Sequence, residues 1–326
     1  KSNLPIAVIG LGKTGISIAK YLKKNNKIFF CYDTRVDLEI TTEIKKYINE
    51  KNIILGDFKR SYIKNHDNFI ISPGVELNID ILSIINHEEK NIQTDIDIFN
   101  EEKRNNVVCI TGSNGKTTVT LIIEYILKAL GKKAKAGGNI GLPALELLEN
   151  NYDYNILELS SFQLEMTNKI ISRSSLITNI TPDHLDRHKT FESYVDIKHK
   201  IFKNSSNKII NLSDENIRKN ELIYKYSFGN ERECESNSFY VGSENGVSYI
   251  FKGKKKLASE KDILLIGDHN LLNICAALSV IESLNLDIEK SIKIVKKFKS
   301  IEHRMENFHQ DNNLTWINDS KSTNID

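Results

Sequence analysis

One segment restricts this chain more than any other. The apolar run Val107-Val108-Cys109-Ile110 passes through Thr111-Gly112-Ser113-Asn114-Gly115-Lys116-Thr117-Thr118 into a stretch whose Val119, Ile122, Ile123, Ile126, Leu127 and Leu130 recur at helical spacing. Gly131 follows, where a left-handed cap is expected. Strand, glycine turn and helix in that order bury their apolar faces only when the helix folds back onto a sheet. The chain is therefore committed to an α/β fold with a mostly parallel sheet. The Gly-Lys-Thr ending is that of a phosphate-binding loop: backbone amides surround the phosphates, Lys116 reaches the β/γ oxygens, and a threonine hydroxyl ligates Mg²⁺. The full G-x-x-x-x-G-K-[ST] pattern requires glycine at position 110. Ile110 stands there, so this loop is a shortened variant.

The same alternation precedes it. Pro5–Ile9, Ile28–Tyr32, Ile53–Leu55 and Phe69–Ile71 read as buried strands, with a helix over Ile16–Leu22. Gly10-Leu11-Gly12-Lys13-Thr14-Gly15 joins the first strand to that helix, and Asp33 ends the second strand, which fits G-x-G-x-x-G with an acidic partner. Taken alone, the turn suits NAD, yet nothing downstream supplies hydride chemistry. Strands over 155–159 and 176–180, an antiparallel edge from Ile209 to Ile266, a helix from about 269 to 284 and a strand Leu314–Ile317 are expected to follow. Length suggests two domains and part of a third. These are a Rossmann-like domain over 1–94, a central P-loop-type domain over 95–299 and the start of a third Rossmann-like domain over 300–326. The chain begins at Lys1 without methionine and stops at Asp326, so both ends read as cut.

Composition narrows the function classes. In 326 residues, 45 Lys+Arg face 43 Asp+Glu, a net +2, which excludes a globally basic nucleic-acid binder and an acidic disordered chain. No apolar run approaches the roughly 20 residues of a membrane span, and no signal segment is apparent. Cys31, Cys109, Cys234 and Cys275 lie far apart without a CxxC pair, as reduced core residues of a cytoplasmic protein do.

Several polar residues sit where apolar ones are expected. Glu158 ends an apolar strand, either as a buried liability or as a metal ligand at the sheet's carboxyl edge. Asp183 and His184 follow the next strand in the same way, within Thr181-Pro182-Asp183-His184-Leu185-Asp186-Arg187-His188. A solvated loop is the plain alternative for them. Lys198 is more telling. After Thr190, a candidate helix cap, Phe191, Tyr194, Val195, Lys198, Ile201 and Phe202 form one stripe, with the lysine in a leucine's place. It either snorkels outward or is desolvated, nucleophilic and open to CO₂, which would make it a carbamate oxygen ligand for Mg²⁺. Asn270 and Asn273 open a helix as caps or base-reading amides. His303-Arg304 and Asn318-Asp319-Ser320-Lys321-Ser322-Thr323-Asn324 bracket the last strand, as nucleotide contacts or solvated turns.

Together these motifs resemble the Mur ligases. The resemblance rests on Gly10–Gly15 with Asp33-Thr34-Arg35, Ser72-Pro73-Gly74, Thr111–Thr118, Gly137-Gly138-Asn139-Ile140-Gly141 and Leu157–Glu165. It continues through Asn179–His184, Lys198, His269-Asn270 with Asn273, His303-Arg304 and Ile317–Asn324. The motifs run nearly end to end in family order. Leu-Glu-Leu-Ser-Ser-Phe-Gln and Asp-Ser-Lys-x-Thr-Asn point to the branch that adds D-glutamate to UDP-N-acetylmuramoyl-L-alanine in peptidoglycan precursor synthesis.

The resemblance implies a cytoplasmic, monomeric, ATP-dependent ligase of small molecules, with no nucleic-acid or membrane partner. Lys13, Thr14, Asp33, Thr34, Arg35, Gly74, Asn139 and His184 would contact the UDP-sugar, which takes the first glycine turn away from NAD. Gly112, Ser113, Asn114, Gly115, Lys116, Thr117, Thr118, Asn273, Arg304, Asp319 and Lys321 would surround ATP. Thr117 and Glu158 would hold one Mg²⁺, and His184 with carbamylated Lys198 a second. Lys116, Glu158, His184 and Lys198 are the implied catalytic set, acting through an acyl phosphate that the D-glutamate amine displaces. Ser322 stands where the family usually has alanine. Only the first strand and turn of the third domain are present, so this stretch is expected to bind UDP-sugar without ligating D-glutamate. Other readings stay open: another Mur ligase, a folylpolyglutamate synthase-like ligase, a dehydrogenase, or a nucleotide-binding module without activity.

Overall fold

A computed structural model describes residues 4–75, 84–85, 88–102, 106–218, 223–231 and 237–299, with the backbone of 306–311 and 314–318. The first sheet contains β1 (Ile6–Ile9), β2 (Phe29–Asp33), β3 (Ile53–Leu55), β4 (Asn68–Ile71) and β5 (Asn91–Gln93), in the order β3-β2-β1-β4-β5. All its pairs are parallel, with Ile6 opposite Phe29 and Ala7 opposite Phe69. Ala7, Val8 and Ile9 are buried on both faces, as helix-covered parallel strands require. The strand order reverses beside β1, so the turn after β1 opens at a switch point where such sheets bind ligands. β5, Asn-Ile-Gln, lacks the apolar run by which the other four are legible.

The second sheet has nine strands in the order β14-β13-β12-β11-β10-β9-β6-β8-β7. Their ranges are β6 (Val107–Thr111), β7 (Ala134–Gly138), β8 (Tyr154–Glu158), β9 (Ser172–Ile177), β10 (Ser205–Asn211), β11 (Tyr226–Asn230), β12 (Phe239–Glu244), β13 (Val247–Lys252) and β14 (Lys255–Ser259). β6 lies between β8 and β9, parallel to both. Helix Lys116–Ala129 follows it, and Gly131 adopts the expected left-handed conformation, φ +77°. The expectation of antiparallel structure from Ile209 to Ile266 is corrected in part. β10, β11 and β12 continue the parallel sheet, whereas the pairs β12–β13 and β13–β14 are antiparallel. Turn-rich spacers read as hairpins, but one of them holds the short helix Glu215–Arg218 between two parallel strands.

Two compact units result. The first comprises Lys1–Arg104, Gly137–Asn151 and Phe162–Ile170; the second comprises Asn105–Ala136, Tyr152–Ser161 and Ile171–Asp326. The two units interleave along the chain. Helix Asp95–Glu102 packs against the 3₁₀ turn Ala144–Glu149 inside the first unit. The Asp97 carboxylate there accepts the Asn168 and Lys169 amides at 3.0 and 3.2 Å, and Asn100 Nδ2 donates to the Lys169 carbonyl at 2.7 Å. These bonds recruit two later stretches to the first unit. Near the carboxyl end, β15 (Glu306–Asp311) and β16 (Leu314–Asn318) pair antiparallel in a separate two-stranded sheet. Only the second of them was expected, because Glu-Asn-Phe-His-Gln-Asp has no apolar alternation.

Candidate functional site

In the second unit the loop after β6 ends in Gly115, whose φ is +76°. A Cβ there would meet Asn273 Oδ1 at 2.5 Å, so the structure sets Asn273 against the loop. Asn273 Nδ2 in turn donates to Asn270 Oδ1 at 3.2 Å. Lys116 folds back on its own loop, donating to the Gly112 and Ser113 carbonyls at 2.8 and 2.6 Å. Thr117 and Thr118 are buried in the first turn of the helix, and Thr117 Oγ1 donates to Glu158 Oε2 at 2.8 Å. Glu158 reaches the loop because β8 runs parallel beside β6, Ile110 opposite Glu158. Not every loop amide faces a ligand. Ser113 N–H donates to the Asn179 carbonyl at 2.9 Å, and Asn114 N–H to Asn179 Oδ1 at 2.8 Å. These two amides are therefore bonded within the protein.

Lys198 lies on helix Phe191–His199, capped by Thr190 Oγ1, which accepts the Ser193 amide at 3.2 Å. The lysine is 1% exposed, so it does not snorkel. Its Nζ donates to the Gly112 carbonyl at 2.8 Å, the oxygen that Lys116 also meets, and sits 4.5 Å from the Tyr194 ring centroid. Burial, then the Lys116 ammonium, pushes the Lys198 amine well below the ordinary lysine range, while Asp183 opposes. Tyr194 OH lies 3.1 Å from Ser113 Oγ, and burial pushes that phenol up to about 12. His188 Nε2 lies 3.0 Å from Ser161 Oγ, with its ring 5.4 Å from that of Tyr194. Neither Tyr194 nor His188 was singled out from sequence; Tyr194 was legible only as a stripe residue.

His184 caps the short helix Leu185–His188 with φ +51°, and its Nε2 lies 3.5 Å from Asp183 Oδ2. Its side chain is 45% exposed. The strand-end turn that carries it is tied to the loop, since Thr181 N–H donates to Ser113 Oγ at 3.0 Å. Residues 116, 158 and 198 are thus joined directly around the loop, and residue 184 through its turn. Thr117 and Glu158 offer oxygen, the donor type Mg²⁺ prefers, so this pair fits that ion. Among the described residues no group of three or more His, Cys, Asp or Glu converges. Arg304, Asp319 and Lys321 lie outside the described residues, as does Ser322.

The first unit holds the other glycine turn. A Cβ on Gly15 would land on the Gly10 carbonyl oxygen, so glycine is needed where the helix meets the strand. Asp33, 5% exposed, accepts from Leu11 N–H at 2.6 Å, from Arg35 Nε at 2.7 Å, from Arg35 Nη2 at 2.8 Å and from Arg35 N–H at 3.1 Å. Those four bonds fill a carboxylate's acceptor sites, so Asp33 braces the turn and holds Arg35. Arg35 and these amides keep its carboxyl below the usual range, against burial. Lys13 and Thr14 open the helix, Thr34 and Gly74 are exposed nearby in sequence to β2 and β4, and Lys13 Nζ donates to the Gly141 carbonyl at 2.5 Å. That bond brings Lys13 to the turn carrying Asn139, within the first unit.

Two family models match these parts, the Mur ligase middle domain over residues 110–281 and the MurD-like Mur ligase N-terminal domain over residues 5–94. The chain belongs to the Mur ligase family. Curated Mur ligase relatives agree. UDP-N-acetylmuramoylalanine–D-glutamate ligases of Legionella pneumophila (strain Paris) and Buchnera aphidicola subsp. Schizaphis graminum are 36% and 37% identical over 324 residues, 98% of this chain and 72% of theirs. Among solved structures, the UDP-N-acetylmuramate-alanine ligase of Thermotoga maritima superposes with a TM-score of 0.59 at 21% identity, over 97% of this chain and 74% of that one. A Neisseria meningitides ligase, UDP-N-acetylmuramate:L-alanyl-gamma-D-glutamyl-meso-diaminopimelate ligase, gives 0.62 at 15%, over 92% and 100%. These two likenesses bear on the fold alone. Mur ligases are ATP-dependent enzymes that form amide bonds, which displaces the dehydrogenase reading of the Gly10–Gly15 turn.

Proposed function

We propose that, within the complete gene product, this chain serves to ligate D-glutamate to UDP-N-acetylmuramoyl-L-alanine at the expense of ATP, the reaction for which its 36–37% identical relatives are named. The observation that carries the reading is the meeting of Lys116 and Lys198 on the Gly112 carbonyl. One ammonium, Lys116, and one buried amine of lowered basicity, Lys198, at the same oxygen suit a site where a polyanion arrives and a terminal phosphoryl leaves. In this reading Lys116 swings from the Gly112 and Ser113 carbonyls to the γ-phosphoryl as it passes to the alanyl carboxylate. The acyl phosphate formed is then opened by the amine of D-glutamate, with phosphate as the leaving group. Thr117 and Glu158 would hold Mg²⁺, which when bound neutralises charge on the phosphoryl oxygens.

Lys198 has the burial and the lowered basicity that CO₂ addition needs, and the carbamate would supply oxygen for a second ion together with His184. Asn273 sits where it would touch the nucleotide, and Arg304, Asp319 and Lys321 would complete that site. Lys13, Thr14, Thr34, Arg35, Gly74 and Asn139 would line the UDP-sugar site, with Asp33 as their brace. Residues 300–326 would begin a third domain, and the enzyme would act as a cytoplasmic monomer. No helix among the described residues is long and apolar enough to cross a membrane. The test is a panel of radiolabelled amino acids given to the complete gene product with MgATP and UDP-N-acetylmuramoyl-L-alanine. Label should enter the UDP product from D-glutamate alone; incorporation of a different amino acid reassigns the acceptor, and no incorporation ends the proposal.

A further inference from the structure

The shortened loop lacks the first glycine of its pattern, and a neighbouring strand compensates. Ile110 is fully buried in β6, so the chain does not turn there. The turn is fixed instead by the two residues that follow β9. Besides accepting from Asn114 N–H, the Asn179 side chain donates through Nδ2 to the Asn114 carbonyl at 3.2 Å. Thr178 Oγ1 donates to the same carbonyl at 2.5 Å. One carboxamide therefore grips both polar groups of a single loop residue, as a paired strand would. The grip is braced from behind: Asn211 Nδ2 donates to the Thr178 carbonyl at 2.7 Å, and Asp214 Oδ2 accepts from Ile180 N–H at 2.6 Å. Gly115 turns immediately after the held residue.

We infer that Asn179 is a positioning residue of the phosphate loop. Its carboxamide fixes Asn114 so that the amides from Gly115 onward face the terminal phosphates of a nucleotide. This rests on reading the loop as an ATP site, and it concerns the phosphates and not the base. The experiment compares MgATP and adenosine binding to the purified protein and its variants by calorimetry. Asn179→Ala should weaken MgATP about tenfold, the scale of one to two lost hydrogen bonds, and leave adenosine binding unchanged. Asn179→Ser, whose hydroxyl can still accept from Asn114 N–H, should recover part of the loss; it also serves as the test if the alanine variant does not fold. If the parent protein fails to bind MgATP, the nucleotide reading falls and this inference with it. If the parent binds MgATP and the variants match it, or lose adenosine in equal measure, the inference alone is overturned.

Discussion

The two glycine turns of this chain share a plan and differ in charge. Each follows a buried parallel strand and opens a helix, one at Gly10–Gly15 and the other at Gly112–Lys116. Around the first, the Asp33 carboxylate and the Arg35 guanidinium neutralise each other beside the Leu11 amide. Around the second, two lysines converge on one carbonyl and a carboxylate holds the helix's first threonine. A turn whose carboxylate is tied up by a guanidinium, with the Lys13 ammonium beside it, suits a phosphate group that is only held. A loop with one lysine ammonium, one buried modifiable amine and a Thr117–Glu158 pair fit for Mg²⁺ suits one that is transferred, because charge must be stabilised where it grows. Glycine spacing therefore announces phosphate geometry, and the surrounding charges announce the chemistry.

The sharpest way to break this contrast is to remove the two lysines. Lys116→Ala and Lys198→Ala should each lower ligase turnover of the complete gene product by about 10³-fold or more, while UDP-sugar binding holds. With Lys198 intact, CO₂ depletion should slow turnover and bicarbonate should restore it; full activity in Lys198→Ala would remove the carbamate. Next in size, Glu158→Gln should raise the Mg²⁺ concentration for half-maximal rate by about 10- to 100-fold, read from a metal titration. Asp33→Ala should act only on the other turn, weakening a uridine nucleotide by about tenfold in a competition assay and sparing ATP. If it weakened ATP equally, the two turns would not be separate sites.

The smallest effect concerns pH. Burial pushes the Asp95 carboxyl in the first unit up to about 7, and its Oδ1 has no hydrogen-bond partner among the described residues. Between about 4 and 7 the folded chain keeps a proton that the unfolded chain has lost, so stability falls as pH rises through that window. Lys198 works in the opposite sense. Its amine loses its proton in the folded chain well before it would in the unfolded one, so stability climbs with pH up to about 10.4. Asp95→Asn should flatten the calorimetric profile between pH 4 and 7 and raise Tm at pH 8 by about 2–4 °C.

What was legible in the sequence was local. Strands β1 to β4, β6 and β8 fall within a residue of their expected places because apolar runs between glycine turns admit few alternatives. Lys198 was legible because a helical stripe leaves one position to explain, and that position proved buried. The role of Asn179 was not, since its partner lies 65 residues earlier and the strand register decides the meeting. Asp33 was found as a residue, but nothing in the spacing shows that its oxygens meet Arg35 and Leu11. The parallel course of β10 to β12 was hidden by turn-rich spacers, and the polar β5 and β15 by their composition.

The first unit is assembled from three separate pieces of chain, the last ending at Ile170. During synthesis its leading 104 residues leave the ribosome before the two remaining pieces exist. At 5–20 residues per second they wait for several seconds with surface that only later stretches can cover. An amino-terminal fragment cut at Arg104 would leave that surface bare permanently, so a genetic dissection of this protein should follow the pieces of each unit and not a single point along the gene.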